Sequence, residues 1–291
     1  MSLPFVSAAD VERRLGYAEA AGALEAALAA GLDPEADPPR AALTIEGGEL
    51  LLMPSGLAGH AAVKLVTVGG DPRIQGVCVV FDGGTLAPAA LVDGIALTTL
   101  RTAAVSALAV RFLAAPDARR LVVFGRGPQA HAHVAAVRAI RPIEHVDVVG
   151  RDHPDPDGVV GRADVVCCCT TAREPLFDGD RVPDHAAVVA MGSHEPEARE
   201  TDHALAGRAS VVVESRTSAL REAGDVISAL AAGVLAEEDL VTLAELVRGE
   251  RHPAPGRPRL FKSTGMAWED AVVAATLAGL RPTPPGAGRT R

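Results

Sequence analysis

The 291-residue chain is 48% apolar and 22% charged, the balance of a folded globular protein, and its length suggests two domains at roughly 150 residues each. A net charge of −9 with scattered basic residues excludes an electrostatic grip on nucleic acid or on an anionic membrane. No uninterrupted apolar run reaches the ~18 residues of a membrane span and the N-terminus lacks a signal-peptide pattern, so a cytoplasmic protein is expected.

Residues 17–30 are rich in Ala, Leu and Glu without Pro, which predicts a helix stopped by Asp33-Pro34 and Asp37-Pro38-Pro39. The period then changes. Runs 41–45 and 49–53 flank Gly47-Gly48, and runs 77–81 and 86–92 flank Asp82-Gly83-Gly84, the pattern of two β-hairpins. Between them, alternation over residues 61–68 places Lys64 on one face with Ala62, Val66 and Val68, and the other face is also apolar. A lysine is thereby predicted inside a wall. Thr98-Thr99 offers a cap for a helix lasting to about residue 115, ended by Pro116.

From there strand and helix alternate. Residues 121–124 form an apolar strand running into Gly125-Arg126-Gly127-Pro128-Gln129-Ala130, followed by a helix to residue 140 and a strand at 146–149. Residues 165–169, 187–191 and 210–213 read as further short buried strands of the kind parallel sheets use. Residues 249–259 read as a loop. The last helix, 266–280, is apolar nearly all round and so expected to be buried, with Trp268 a core or dimer contact, before a Pro/Gly tail expected to be disordered.

The four cysteines, Cys78 and the consecutive Cys167, Cys168 and Cys169, suit neither a disulfide framework nor a zinc site and read as small buried hydrophobes. The stretch 153–164 echoes a calcium loop but carries two prolines and no terminal Glu. His131 and His133 are expected on the exposed side of the helix after the glycine loop, and no metal is predicted. Among the 28 basic residues only Lys64 and Lys262 are lysine, so each marks a place where a compact ammonium is wanted rather than a planar guanidinium.

Gly125-x-Gly127-x-x-Ala130, between a strand and a helix, reads as a dinucleotide-binding loop, the alternative being a plain strand-to-helix turn: glycines let the backbone approach a pyrophosphate, and the helix amides and dipole attract it. Roughly 20 residues on, an acid is expected for the ribose hydroxyls of NAD. The chain reads Gly150-Arg151 there, which favours NADP(H) over NAD(H), the alternative being a surface arginine. Arg101, expected in the first turn of its helix, opposes the macrodipole unless an anion binds there. A buried Lys64 needs a substrate carboxylate or a carboxylate neighbour.

Arg40, the stretch from Met53-Pro54 to Lys64, Leu97-Thr98-Thr99-Leu100-Arg101-Thr102-Ala103-Ala104, the Gly-x-Gly-x-Gln-Ala loop and Phe261-Lys262-Ser263-Thr264-Gly265 together resemble the ornithine cyclodeaminase/mu-crystallin family over nearly the whole chain. The resemblance implies an α/β protein: a Rossmann-like NAD(P)-binding domain over 116–265, and an α+β substrate and dimerisation domain from 1–115 and 266–291. It implies that Arg40, Lys64 and Arg101 hold an amino-acid carboxylate, with Lys64 near the reacting nitrogen and Arg101 also reaching the cofactor. It further implies Gly127, Pro128 and Gln129 at the pyrophosphate, Thr170 beside the cofactor, and Ser263 and Thr264 near nicotinamide and substrate.

Three departures bear on chemistry. Where cyclodeaminases carry a catalytic aspartate, this chain reads Met191-Gly192-Ser193-His194. An imidazole passes protons near neutral pH but cannot steady a cationic ammonium as a carboxylate does. Between Gly150 and Ala163 lie only twelve residues, too few for the helix and strand that normally follow, so one edge unit is missing from the sheet. Arg73 stands where relatives carry a cofactor-touching threonine; it pairs with a phosphate or sits on the surface. The expected activity is that of an NAD(P)-dependent oxidoreductase acting on a small α-imino or α-amino acid, homodimeric, with His194 relaying the proton. The alternatives are an ornithine cyclodeaminase and a ligand-binding member without turnover.

Overall fold

In the computed structural model, which describes residues 3–57 and 59–280, the alternating run around Lys64 is an inner strand of a six-stranded sheet. Strand β1 (Phe5–Val6) precedes helices α1 (Ala8–Arg14) and α2 (Tyr17–Ala29). A meander then follows: β2 (Ala41–Ile45), β3 (Gly48–Leu57), β4 (His60–Gly69), β5 (Ile74–Asp82) and β6 (Pro88–Asp93). Neighbours in the meander are antiparallel, and β1 closes the far edge parallel to β6. Both expected hairpins are present. The last strand begins at Pro88 rather than Leu86, because the Asp82 carboxylate accepts from Gly84 N and Thr85 N and draws that segment into a turn where Leu86 takes a φ of 62°.

Helix α3 (Gly94–Leu113) departs from expectation at its start. Asp93 Oδ1 accepts from Ile95 N at 3.1 Å and Ala96 N at 2.9 Å and so caps the helix ahead of Thr98-Thr99. Thr99 Oγ1 instead bonds the Ile95 carbonyl within the helix. Arg101 therefore lies in the helix interior, and the first-turn dipole argument does not apply to it. By length and composition α3 could cross a membrane, but most of its apolar window is buried within the protein.

Beyond α3 the chain builds a second, all-parallel sheet of seven strands. In chain order come β7 (Arg120–Phe124), α4 (Pro128–Arg138), β8 (His145–Val149), α5 (Pro156–Val160), β9 (Val165–Cys168), β10 (Ala187–Ala190), α6 (His203–Arg208), β11 (Ser210–Val213), α7 (Arg216–Glu222), α8 (Gly224–Ala231), β12 (Val241–Thr242), α9 (Leu243–Val247) and β13 (Arg259–Lys262). Their spatial order is β12-β11-β13-β10-β9-β7-β8. Strand β8 is the edge, and only the short α5 intervenes before β9 on the other side of β7, so the missing helix–strand unit is a feature of the fold. Every residue of β9 and β10 is buried, as parallel strands covered on both faces require.

Helix α10 (Ala267–Leu277) returns to the first sheet and packs on β3, β4, β5 and α2. The chain divides into two compact units at Arg101/Thr102 and Gly265/Met266. The first division falls within α3, ahead of the boundary expected after residue 115. The Pro/Gly tail after Leu280 lies outside the described residues.

Candidate active site

In the first unit, the buried face of β4 meets the first turn of α10. Lys64, flanked in register by Met53 on β3 and Cys78 on β5, is 2% exposed, and its Nζ lies 2.7 Å from Asp270 Oδ2. Asp270 Oδ1 faces Arg101 Nε at 3.1 Å, and Glu269 Oε2 accepts from Arg101 Nη1 at 2.7 Å. Two cations and two carboxylates thus form one buried cluster. Burial and the neighbouring Arg101 guanidinium bring the Lys64 ammonium down to about 8, against the pull of Asp270. Beside it, burial pushes the Cys78 thiol up, so this cysteine is an uncharged packing group.

An ammonium has three N–H donors, and among the described residues Asp270 is the one partner of Lys64. Nearby, Asp37 accepts from Ser55 Oγ at 2.6 Å and from the Trp268 backbone N–H at 2.7 Å, fixing the entry to α10 against the segment that carries the half-buried Arg40. Trp268 is core, as expected, at 1% exposure. Arg73 is exposed on the turn between β4 and β5.

In the second unit, a cavity of about 610 Å³ opens at the carboxyl ends of β7, β8 and β9. Gly125 adopts a φ of 112°, and a Cβ there would lie 2.5 Å from the Cys169 carbonyl oxygen. Only glycine lets this turn pass the neighbouring strand. Gly127 caps α4, with Pro128 in its first turn, and a Cβ at Gly127 would meet no protein atom within 4 Å. The backbone is therefore open to a ligand just where the helix presents its N–H groups. The Gln129 side-chain oxygen is buried with no hydrogen-bond partner among the described residues.

The far end of the cavity carries Arg126, Arg151, Asp152 and His153. Arg126 Nη2 pairs with Asp152 Oδ1 at 2.9 Å, both well exposed. Asp152 is an acid at this end that the sequence reading missed by stopping at Arg151. His133, expected on the exposed side of α4, is instead fully buried: its Nδ1 lies 2.7 Å from the Gln129 carbonyl and its Nε2 2.8 Å from Ser106 Oγ. In an alanine-rich helix the apolar face is weakly marked, and these two bonds decide the orientation.

The remaining candidates sit on loops and strand ends of the second unit. Thr170, which lines the cavity, donates through N and Oγ1 to Glu200 Oε1 at 2.9 and 2.7 Å. His194 is exposed on the loop after β10, and its neighbour Glu195 pairs with Arg173 rather than orienting it. Ser263 Oγ, Thr264 N and Gly265 N converge on the buried Glu214 carboxylate at 2.6, 2.9 and 3.0 Å. Among the described residues no group of three metal-ligating side chains occurs. Glu269, Asp270, Glu200 and Glu214 were not singled out from sequence. Adjacent acids in the first turn of an otherwise buried helix are the signal that could have marked the first two.

The sequence profile of the ornithine cyclodeaminase/mu-crystallin family matches residues 3–158 and 153–278. A Delta(1)-pyrroline-2-carboxylate reductase of Colwellia psychrerythraea is 33% identical over 70% of this chain and 72% of its own. A ketimine reductase mu-crystallin of Macropus fuliginosus is 32% identical over 93% of this chain and 95% of its own. Among solved structures, the Delta(1)-pyrroline-2-carboxylate reductase of Thermococcus litoralis, in complex with NADH and L-proline, superposes with a TM-score of 0.87 at 28% identity, covering 95% of this chain and 96% of that one.

Proposed function

The chain belongs to the ornithine cyclodeaminase/mu-crystallin family, and we propose that it is a nicotinamide-dependent oxidoreductase that reduces a small, preferably cyclic, α-imino acid or runs the reverse reaction on the amino acid. The observation that carries this reading is the cavity at the carboxyl ends of β7, β8 and β9, whose Gly125 turn and open Gly127 backbone at the α4 N-terminus suit a dinucleotide pyrophosphate. The relatives named as imino-acid reductases support the same assignment.

Bound nicotinamide supplies or accepts the hydride. Gly125, Gly127, Pro128 and Gln129 hold the pyrophosphate, and Thr170 and Ser263 line the remainder of the nucleotide's path. Arg151, with Arg126 beside it, gives the adenosine end a positive surface, and Asp152 is already engaged by Arg126. That arrangement favours the 2′-phosphate of NADP(H) over the free ribose of NAD(H).

Lys64, Arg101 and Arg40 grip the ligand's carboxylate, which stabilises the complex through charge-assisted bonds and fixes the imino acid for hydride transfer. Lys64 offers the donors that Asp270 leaves over, close to the ligand nitrogen, and Thr264 is a further substrate-binding residue. His194 passes the proton to or from that nitrogen. An imidazole here, in place of an aspartate, favours simple reduction over ornithine cyclisation.

The outer face of the first sheet supports a homodimer. Pro54, Val63, Val79 and Leu91 lie in one cross-strand row on that face, and Leu43 and Ile45 on edge strand β2 are 56% and 41% exposed. A second copy of the chain would cover them.

Titration with NADPH and with NADH, followed by nicotinamide fluorescence, tests the cofactor. Mixing the protein with NADPH and a five- or six-membered cyclic imino acid then tests turnover: stoichiometric NADPH oxidation is expected. Ammonia release from ornithine without net cofactor oxidation would replace this reading with a cyclodeaminase, and ligand binding without either would mark a binding protein. A His194→Ala variant that kept full turnover would remove the proton role.

A further inference from the structure

Lys262, the second of the chain's two lysines, plays no part in the cofactor or substrate grip proposed above. It stands at the end of β13, 1% exposed, with Nζ 2.9 Å from the Ser193 carbonyl oxygen and 3.0 Å from Asp225 Oδ2. One residue earlier on the same loop, Gly192 N donates to Glu200 Oε2 at 2.7 Å. Glu200 is fully buried. Its other oxygen takes both donors of Thr170, and its backbone carbonyl accepts from Leu176 N at 3.0 Å. Thr170 and Leu176 both line the nucleotide cavity.

The consecutive residues Gly192 and Ser193 are therefore held from two sides, one through its N–H and the other through its C=O, immediately before the exposed His194. No side chain could replace Gly192: a Cβ there would lie 1.9 Å from the Thr170 carbonyl oxygen and 2.5 Å from Glu200 Oε1. Asp225 completes the clamp by accepting from Glu200 N and Thr201 N at 2.9 and 2.8 Å while it neutralises Lys262. A planar guanidinium could not serve two acceptors at the end of a buried strand so compactly.

We propose that Glu200 and Lys262 are positioning residues: a buried two-sided clamp that sets where the His194 loop leaves the sheet and ties that loop to the nucleotide-lining residues Thr170 and Leu176. The inference rests on the proton role given to His194 above, while the clamp itself can be tested without it. The clamp needs Glu200 ionised, since each of its two oxygens faces a backbone N–H. Burial pushes the Glu200 carboxyl up to about 7, against the pull of the Lys262 ammonium and the bonds from Thr170 and Gly192. Asp225 on α8 and the thiols of Cys167, Cys168 and Cys169 at the end of β9 are the other titratable groups around it. A protonated carboxyl turns one acceptor into a donor, which cannot face a backbone N–H.

The test uses the full-length protein and the variants Glu200→Gln and Thr170→Val. Amide exchange at Gly192, read without nucleotide or substrate, is expected to speed up about tenfold in E200Q, the scale of one charge-assisted hydrogen bond. In T170V it should also quicken, although Gly192 itself is untouched, because the two loops share one carboxylate. With NADPH and a cyclic imino acid, E200Q should lose about tenfold in kcat with little change in KM for the imino acid, whose carboxylate grip lies in the other unit. Unchanged exchange at Gly192 in both variants overturns the clamp. Faster exchange with kcat intact reduces it to a structural tie with no bearing on His194. Should E200Q fail to fold, T170V alone decides: Gly192 exchange that follows the Thr170 change supports the coupling, and exchange that ignores it refutes it. If the wild-type protein oxidises no NADPH, the functional reading fails, and the exchange measurements still decide whether the clamp exists.

Discussion

Lys64 Nζ and Asp270 Oδ2 meet at 2.7 Å with both side chains almost wholly removed from solvent. A pair this buried is costly to form and adds little net stability, so the fold alone does not account for a lysine at this position. Lys64→Met keeps Asp270 paired with Arg101 and should still fold. It should raise KM for the imino acid roughly 10- to 100-fold, the worth of one charge-assisted bond to a carboxylate, and leave NADPH affinity within about twofold. Steady-state kinetics with each substrate varied in turn would check this.

The pH dependence of the same group has a definite sign. With Lys64 brought down to about 8, raising the pH through that value discharges the amine and weakens its hold on an anionic ligand. Since kcat/KM reports the free enzyme, its profile should fall on the alkaline side above about pH 8, and Lys64→Arg should move that limb well upward even where it lowers the maximum. A profile flat to pH 10 in the wild type would contradict the grip.

Lys64 was legible from sequence because a strand's alternation is a strong signal, and twelve residues between Gly150 and Ala163 could be counted as too few for a helix and a strand. Other features were hidden by competition between neighbours. Asp93 outbids Thr98 and Thr99 for the start of α3, so Arg101 sits deeper in its helix than expected and pairs with Glu269 and Asp270. Those two acids were masked by the apolar character of α10 around them. The insertion of β13 between β10 and β11, which brings Lys262 beside the His194 loop, has no local sequence signal, because strand order is fixed by long-range pairing.

Arg151 and Arg126 at the adenosine end predict a measurable preference. Arg151→Ala should weaken NADPH binding about tenfold while leaving NADH binding nearly unchanged, since only the 2′-phosphate addresses the guanidinium. The loss should shrink at higher salt, because the side chain is exposed and its charge screened. Equal losses for both nucleotides would show that Arg151 supports the cavity wall instead.

His133 gives the last expectation, on stability. The Gln129 carbonyl can only accept, so Nδ1 carries the hydrogen and Nε2 accepts from Ser106, a neutral tautomer fixed at both ends. Burial takes this imidazole down to about 4 from its ordinary 6.5, the Gln129 bond opposing the shift. The unfolded chain therefore binds the proton more readily than the folded one below pH 6.5. Stability from this group is complete above that pH and is lost as the pH falls toward 4, by roughly 3 kcal/mol in total. Urea midpoints measured between pH 7 and 4.5 should fall accordingly, and His133→Gln should start lower but decline less steeply. Because α4 carries Gly127 at its cap and Gln129 in its first turn, loosening at His133 should also weaken NADPH binding on acidification in the wild type more than in the variant. Parallel declines in both proteins would assign the acid sensitivity to other groups.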